Sequence, residues 1–285
     1  MEQTLALIRR MIPRQIFRSL QPAYHLALAI SGNLVYRFPA RGMVVIAVTG
    51  TNGKTTTSLV INELLKAGGF TTGLASTTTL EVAGESEPNV TNRTNLGRWQ
   101  FVRLADRMRR AGVTHLVVEA ASEGIAQHRL WGVPIDVAVF TNLSPEHLNT
   151  HGTMENYRRV KERIFASLSR TRRLPGVGKL SVVNADDPVA PHFLAHPADR
   201  KLTFGVEKEA DFRAREIRLE GPRSRFRLSA EGAEHEIGLA LAGRFNVENA
   251  LAATVAARGL GISWGVIEGR LAEPFQTPGR LEDVE

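Results

Sequence analysis

The 285-residue chain contains no cysteine. A disulfide framework, a thiolate zinc site and a cysteine nucleophile are therefore excluded. Aromatic residues are scarce at 6%, and no RNP-, KH- or finger-type pattern accompanies them, so no nucleic-acid partner is expected. Acids are outnumbered, 29 against 36 Lys plus Arg, leaving a formal charge of +7. That surplus favours anionic partners: nucleotide phosphates, an anionic substrate or an anionic membrane face account for it. Long hydrophobic runs are missing too. Ala23 to Ile30 is apolar but breaks at Ser31-Gly32-Asn33, well short of the roughly 20 residues a membrane span needs. No small-residue cleavage site follows it, and a cytoplasmic location is expected. The 43% hydrophobic content is enough for one large domain with an appendage.

What is present is concentrated between residues 44 and 57. The run Val44-Val45-Ile46-Ala47-Val48-Thr49 stops at Gly50-Thr51-Asn52-Gly53, and Lys54-Thr55-Thr56-Thr57 then open a helix. This is the layout of a phosphate-cradling loop. Turn glycines admit backbone N–H groups to phosphate oxygens, and the helix N-terminus adds its positive dipole end. Gly50, Thr51, Asn52, Gly53, Lys54, Thr55 and Thr56 are thus expected to bind nucleotide, Lys54 at the β- and γ-phosphates and the Thr55 hydroxyl on Mg²⁺. Val48 stands where the general pattern G-x-x-x-x-G-K-[ST] has its first glycine, and Gly50 supplies the turn two residues later. The plainer alternative is an ordinary strand-to-helix turn. Gly-Lys-Thr directly after a buried-type strand weighs against it, and ATP is the expected nucleotide.

Residues 1–42 carry Arg9, Arg10, Arg14, Arg18, Arg37 and Arg41 against Glu2 alone. They read as a basic helical leader. A helical hairpin packed on the main domain is favoured over an amphipathic segment resting on anionic lipid. From residue 43 the pattern alternates: helix 53–67, strand 71–79, a Gly/Ser/Pro-rich connection through Pro88, helix 96–111, strands 115–119 and 135–141, a polar loop 142–152, helix 153–169 and strand 180–184. Strands alternating with helices predict an α/β fold of P-loop type, a mostly parallel sheet flanked by helices. Period-two runs such as Phe226-Arg227-Leu228 and His235-Glu236-Ile237 predict a short antiparallel subsheet within 201–241, with helices at 246–258 and 264–272.

Open α/β sheets bind ligands beyond the carboxyl ends of their strands. Three polar groups fall there. Glu119 ends one strand, His147 lies in the loop after the next, and Lys161 sits on the following helix one turn after Tyr157. Singly, each has a dull explanation as a cap, a solvated imidazole or a solvent-facing lysine. Their joint placement after successive strands of a phosphate-loop domain favours function, although spacing alone assigns no roles.

Several further segments extend the pattern: Gln127-His128-Arg129, Phe140-Thr141-Asn142-Leu143-Ser144, His147-Leu148, His151-Gly152, Met154-Glu155, Tyr157 and Lys161. Asn184-Ala185-Asp186-Asp187, Gly243-Arg244-Phe245-Asn246-Val247-Glu248-Asn249 and Pro278-Gly279-Arg280 complete it. With the phosphate loop, this ordered set resembles the Mur ligase family, the ATP-dependent amide-bond formers of peptidoglycan synthesis, and within it the tripeptide-synthetase branch. The likeness spans roughly 43–285. It implies an ATP-dependent acid–amino-acid ligase that adds an amino acid to a UDP-muramyl peptide through an acyl phosphate. It also implies that Lys54, Lys161 and His147 serve catalysis, that Thr55, Glu119, His147 and a carbamylated Lys161 surround Mg²⁺, and that Asn246 and Asn249 line the adenine pocket. Thr94, Ser122 and Arg129 would face the muramyl-peptide substrate, Arg129 toward its carboxylates.

Two stretches depart from the family pattern. Its Glu-x-Ser-Ser-His reads Glu119-Ala120-Ala121-Ser122-Glu123 here, and its paired threonines read Asn92-Arg93-Thr94-Asn95. Residues 1–42 are unlike the family's uridine-nucleotide domain, and 43–285 read as its central domain with the C-terminal domain absent. A ligase acting on lipid-linked muropeptide and a non-catalytic ATP-binding scaffold of cell-wall synthesis are the alternatives that remain open.

Overall fold

Strand β1 (Val44–Thr49) is buried at every position, which is why its sequence is continuously apolar or β-branched rather than alternating. It pairs in parallel with β5 (His115–Glu119) on one side and β6 (Val137–Phe140) on the other. These strands belong to the computed structural model of the chain, in which residues 14–91, 94–146 and 151–275 are described. His147, Pro278-Gly279-Arg280, Asn92, Arg93 and residues 1–13 lie outside the described residues.

The sheet has eleven strands in the order β11-β10-β9-β8-β7-β6-β1-β5-β2-β3-β4. Its parallel centre comprises β9 (Phe212–Glu220), β8 (Arg200–Gly205), β7 (Leu180–Asn184), β6, β1, β5 and β2 (Thr72–Ala75). Each edge ends in antiparallel strands. On one side these are β3 (Thr79–Val82) and β4 (Glu85–Pro88), on the other β10 (Arg223–Ala230) and β11 (Ala233–Leu239). The expected mostly parallel sheet with an antiparallel part is what the chain forms.

Alternate residues of β1 serve two cores, as the period of a strand requires. Val44, Ile46 and Val48 meet α2 (Lys54–Ala67), α7 (Arg244–Gly259) and α8 (Trp264–Ala272). Val45 and Ala47 meet α3 (Arg98–Arg110), α4 (Ser122–Ala126), α5 (Met154–Leu168) and α6 (Ala190–Leu194).

One expectation needs correction. Residues 71–79 are not one strand: the Ser76 hydroxyl accepts from Thr79 N at 2.9 Å, the chain reverses, and the supposed connection through Pro88 is the β3–β4 hairpin. Its Glu- and Ser-rich composition has low strand propensity, which an edge position tolerates. Helix α1 runs from Arg14 to Val35, straight through Ser31-Gly32-Asn33. Tertiary contacts outweigh the cost of about 1 kcal/mol for a helical glycine. A Cβ on Gly32 would stand 3.7 Å from the Trp99 indole, and Asn33 Nδ2 donates to Ala29 O and Trp131 O at 3.0 and 2.9 Å. No helix among the described residues is long and apolar enough to cross a membrane.

Candidate active site

Neighbouring strands deliver four polar segments to one edge of the sheet. Gly50 follows β1, Glu119 ends β5, Thr141 follows β6 and Asn184 ends β7. The register sets Val48 opposite Glu119 and Thr49 opposite Phe140, so the loop after β1 emerges between the other two. Thr141 and Asn142 brace it. Thr141 Oγ1 and Asn142 Nδ2 donate to Asn52 O at 2.7 and 3.1 Å, and Asn142 Oδ1 accepts from Asn52 N at 2.9 Å. Thr51 N donates to Asn142 O at 2.8 Å.

The loop glycines have steric reasons. A Cβ on Gly50 would overlap the Thr141 hydroxyl, and one on Gly53, at φ +82°, would overlap the Asn249 amide. Only glycine lets the backbone approach so closely while holding a left-handed turn. Lys54 Nζ folds back over the loop, donating to Gly50 O at 3.1 Å and Thr51 O at 2.6 Å. Thr55 is buried on the first turn of α2 and Thr56 beside it is partly exposed.

A second lysine reaches the same carbonyl. Lys161 Nζ, on α5, donates to Gly50 O at 2.6 Å and lies 4.5 Å from the centre of the Tyr157 ring. The residue is 1% exposed. Burial first, and then the charge of Lys54, push its amine down to about 6. At neutral pH Lys54 is the cation of the pair and Lys161 is mostly neutral.

Glu119 is fully buried. Its carboxylate accepts from Thr77 N and Thr77 Oγ1, both at 2.9 Å. Burial raises its pKa, and the bonds from Thr77, the charge of Lys54 and the Thr55 hydroxyl oppose the rise. This is a hard oxygen donor set with a desolvated carboxylate that a divalent cation would hold ionised. Among the described residues no three His, Asp or Glu side chains gather around one point.

The remaining expected residues fall on two flanks. Thr94 Oγ1 lies 3.0 Å from Thr77 Oγ1, so it joins the Glu119 network. Ser122 Oγ, just past β5, is 2.9 Å from His151 Nε2. Arg129 donates to Gln127 Oε1 at 3.2 and 2.9 Å and to Asn95 O. Asn249 stands behind the phosphate loop, accepting from Thr57 Oγ1 at 3.3 Å and donating to Asn246 Oδ1 at 3.4 Å.

A family match accounts for this arrangement: residues 48–257 match the Mur ligase middle domain. The chain belongs to the Mur ligase family. It is 36% identical over 259 residues to a UDP-N-acetylmuramoyl-L-alanyl-D-glutamate–2,6-diaminopimelate ligase of Halalkalibacterium halodurans, covering 91% of this chain and 52% of the relative. A UDP-N-acetylmuramyl-tripeptide synthetase of Roseiflexus is 36% identical over 274 residues, 93% of this chain and 53% of its own. A solved UDP-N-acetylmuramoyl-L-alanyl-D-glutamate–2,6-diaminopimelate ligase is 32% identical. It superposes with a TM-score of 0.72 over 85% of this chain and 48% of that one. The chain therefore spans about half the length of these relatives.

Several site residues of this family member escape a reading of sequence. Thr77 holds the Glu119 carboxylate, and Asn95 ties the strand end to the next helix through Glu119 O at 2.6 Å and Ala121 N at 2.9 Å. Neither has a sequence signal beyond lying in a polar run. The Asn184-Ala185-Asp186-Asp187 segment proves to be bracing. Asn184 Nδ2 donates to Thr141 O at 2.8 Å, and Asp187 Oδ2 accepts from Leu143 N at 2.6 Å. Asp186 caps the turn after β8 by accepting from the backbone of Val206, Glu207 and Lys208.

Proposed function

We propose that this chain carries the ATP-binding and acceptor-activating centre of a ligase that adds an amino acid to a UDP-muramyl peptide. The observation that carries the reading is the convergence of Lys54 and Lys161 on Gly50 O, beside a desolvated Glu119 at the same sheet edge. The names borne by the relatives supply the substrate class.

In this reading a carboxylate oxygen of the acceptor attacks the γ-phosphorus of ATP, the bond to the β,γ-bridging oxygen breaks, and ADP leaves. The amino group of the incoming amino acid then attacks the acyl carbon, and phosphate departs from the tetrahedral intermediate with the carboxylate oxygen. Lys54 gives up its loop carbonyls for the β- and γ-phosphates. It offsets the repulsion between the two anions that must meet. Thr55 and Glu119 would hold Mg²⁺, with His147 by family likeness. When bound, the ion neutralises charge on the transferring phosphoryl group.

Lys161 is suited to become a carbamate. A neutral amine nitrogen adds to the carbon of CO₂, one C–O π pair moves to oxygen, and one proton leaves, so a buried base becomes an anionic oxygen donor. Asn246 and Asn249 would line the adenine site beside the loop. Thr94, Ser122 and Arg129 would face the acceptor.

Phosphate release by the full-length protein with ATP and Mg²⁺ tests the proposal. UDP-muramyl dipeptide or its lipid-linked counterpart is offered with diaminopimelate or lysine. Release is expected to require the nucleotide-linked acceptor. Release only with the lipid-linked acceptor would overturn the acceptor assignment, and failure to bind ATP at all would overturn the ligase.

A further inference from the structure

Helix α1 packs on the domain with one side and leaves the other bare. Ala29, Gly32 and Asn33 are buried, whereas Ala23, Tyr24, Ala27, Leu34 and Val35 are exposed. At 3.6 residues per turn the two sets fall on opposite sides of the helix. A surface helix of a soluble domain turns charged and polar residues outward. The exposed residues of α1 carry no charge at all, and Leu34 and Val35 are 61% and 62% exposed. No acid occurs in the sequence between Glu2 and Glu63.

The neighbouring helix supplies charge of one sign. Tyr36, at the end of α1, meets the exposed Trp99 ring of α3 edge-on at 6.2 Å, and the turn Pro39–Gly42 packs on the same helix. Beyond Trp99 the exposed residues of α3 are Gln100, Arg103, Arg107, Arg109 and Arg110. Trp99, Arg103, Arg107 and Arg110 recur every three or four residues and so form one row. Arg109 and Arg110 share Asp106 at 2.9 and 2.8 Å, and Arg107 pairs with Glu87 of β4 at 2.9 Å. Arg103 has no carboxylate partner among the described residues, and neither have Arg37 and Arg41, exposed just after α1. Cations are thus in clear excess beside the bare stripe.

We propose that α1 and α3 form a docking surface for a membrane of anionic phospholipid. The apolar stripe of α1 enters the headgroup boundary, and the arginines meet the lipid phosphates. Tyr24 and Trp99, both partly exposed, suit that boundary, where amphipathic rings collect. Helix α1 rests on the bilayer and does not cross it, as its apolar length requires. Charge decides between lipid and a second copy of the chain. Two such faces apposed would bring arginines of one sign together, which opposes association, whereas anionic lipid offers the opposite charge across the whole face. The surface lies outside the residues placed in the ligase centre, so its test needs no turnover.

Co-sedimentation of the full-length protein with vesicles of phosphatidylglycerol or of phosphatidylcholine tests this. Binding is expected to the first and not to the second, and added salt should release it. Arg41→Ala and Arg103→Ala are each expected to weaken binding about fivefold, the worth of one cation at such a surface. Leu34→Glu removes an apolar contact and adds a repelled charge, and should weaken it by about tenfold or more. Arg218→Ala and Leu219→Glu, exposed on β9 toward the other edge of the sheet, are the matched controls and should bind as wild type. Circular dichroism checks that each variant is folded. If Leu34→Glu is not, Tyr24→Ser on the same stripe takes its place and should also weaken binding. Equal binding to both vesicles, or binding that the stripe variants leave unchanged, overturns the membrane surface. Absence of binding overturns it as well, and a dimer that Leu34→Glu dissociates would then assign the stripe to a second copy.

Discussion

Lys161→Ala is expected to lower phosphate release about 10²–10³-fold, the scale seen when one charge-stabilising group is removed from a transition state. The reasoning starts from burial. An ammonium so deep beside Lys54 is unfavourable, and its amine falls to about 6. Above that pH the nitrogen is a nucleophile for CO₂. Degassed, bicarbonate-free buffer should therefore reduce the rate of the wild-type protein and added bicarbonate should restore it. Activity should fall as pH drops through 6, where the amine protonates. A short-chain carboxylate that fits the vacated space should rescue Lys161→Ala but not Lys54→Ala. Full activity in Lys161→Ala would remove the carbamate from the account.

The same shift has a stability consequence. The folded value of about 6 lies below the ordinary 10.5, so between these limits the unfolded chain binds more protons. Lys161's contribution is wholly present above 10.5 and is lost as pH falls toward 6.

Lys179→Ala is expected to cost about 3–5 kcal/mol of stability. At the opposite end of the strands Lys179, fully buried, donates to Asp136 Oδ1 at 2.8 Å, Ile135 O at 2.7 Å, Arg172 O at 2.9 Å and Thr171 Oγ1 at 3.1 Å. Asp136 Oδ2 accepts from Val45 N at 2.9 Å, so the pair ties the starts of β1, β6 and β7 together. Removing the lysine strands a buried carboxylate and takes the donor from Arg172 O, while Ile135 O keeps the Thr171 hydroxyl at 3.1 Å. Urea unfolding monitored by circular dichroism measures the loss. The double variant Lys179→Met with Asp136→Asn keeps an acceptor for Val45 N and carries no buried charge, so it should lose less than Lys179→Ala alone. A loss below about 0.5 kcal/mol in the single variant, the size of an ordinary surface change, would contradict the assignment.

How much of this was legible in the chain depends on the range of the interaction. The phosphate loop was readable because strand, glycine turn and helix start are local: Gly50 and Gly53 are fixed by contacts to Thr141 and Asn249, but the turn itself announces them. Parallel strands were readable from continuous apolar runs. The β3–β4 hairpin was not, since an edge strand needs little apolar sequence. Nor was the seat of α1, whose Asn33 bonds Trp131 O, a residue distant in sequence. Glu119 and Lys161 could be ranked as candidates by their place after strands, whereas their desolvation emerges only when the sheet closes around them. Thr77 carries no local signal at all.

The central claim is that an acceptor carboxylate, and not water, takes the γ-phosphoryl group of ATP at this edge. Supplying acceptor labelled with ¹⁸O in the reacting carboxylate, in unlabelled water, and weighing the released phosphate tests it directly. One labelled oxygen per phosphate is the result expected, because the C–O bond breaks when the amine attacks. Phosphate without label would mean that ATP is hydrolysed instead, and the ligase reading would be wrong.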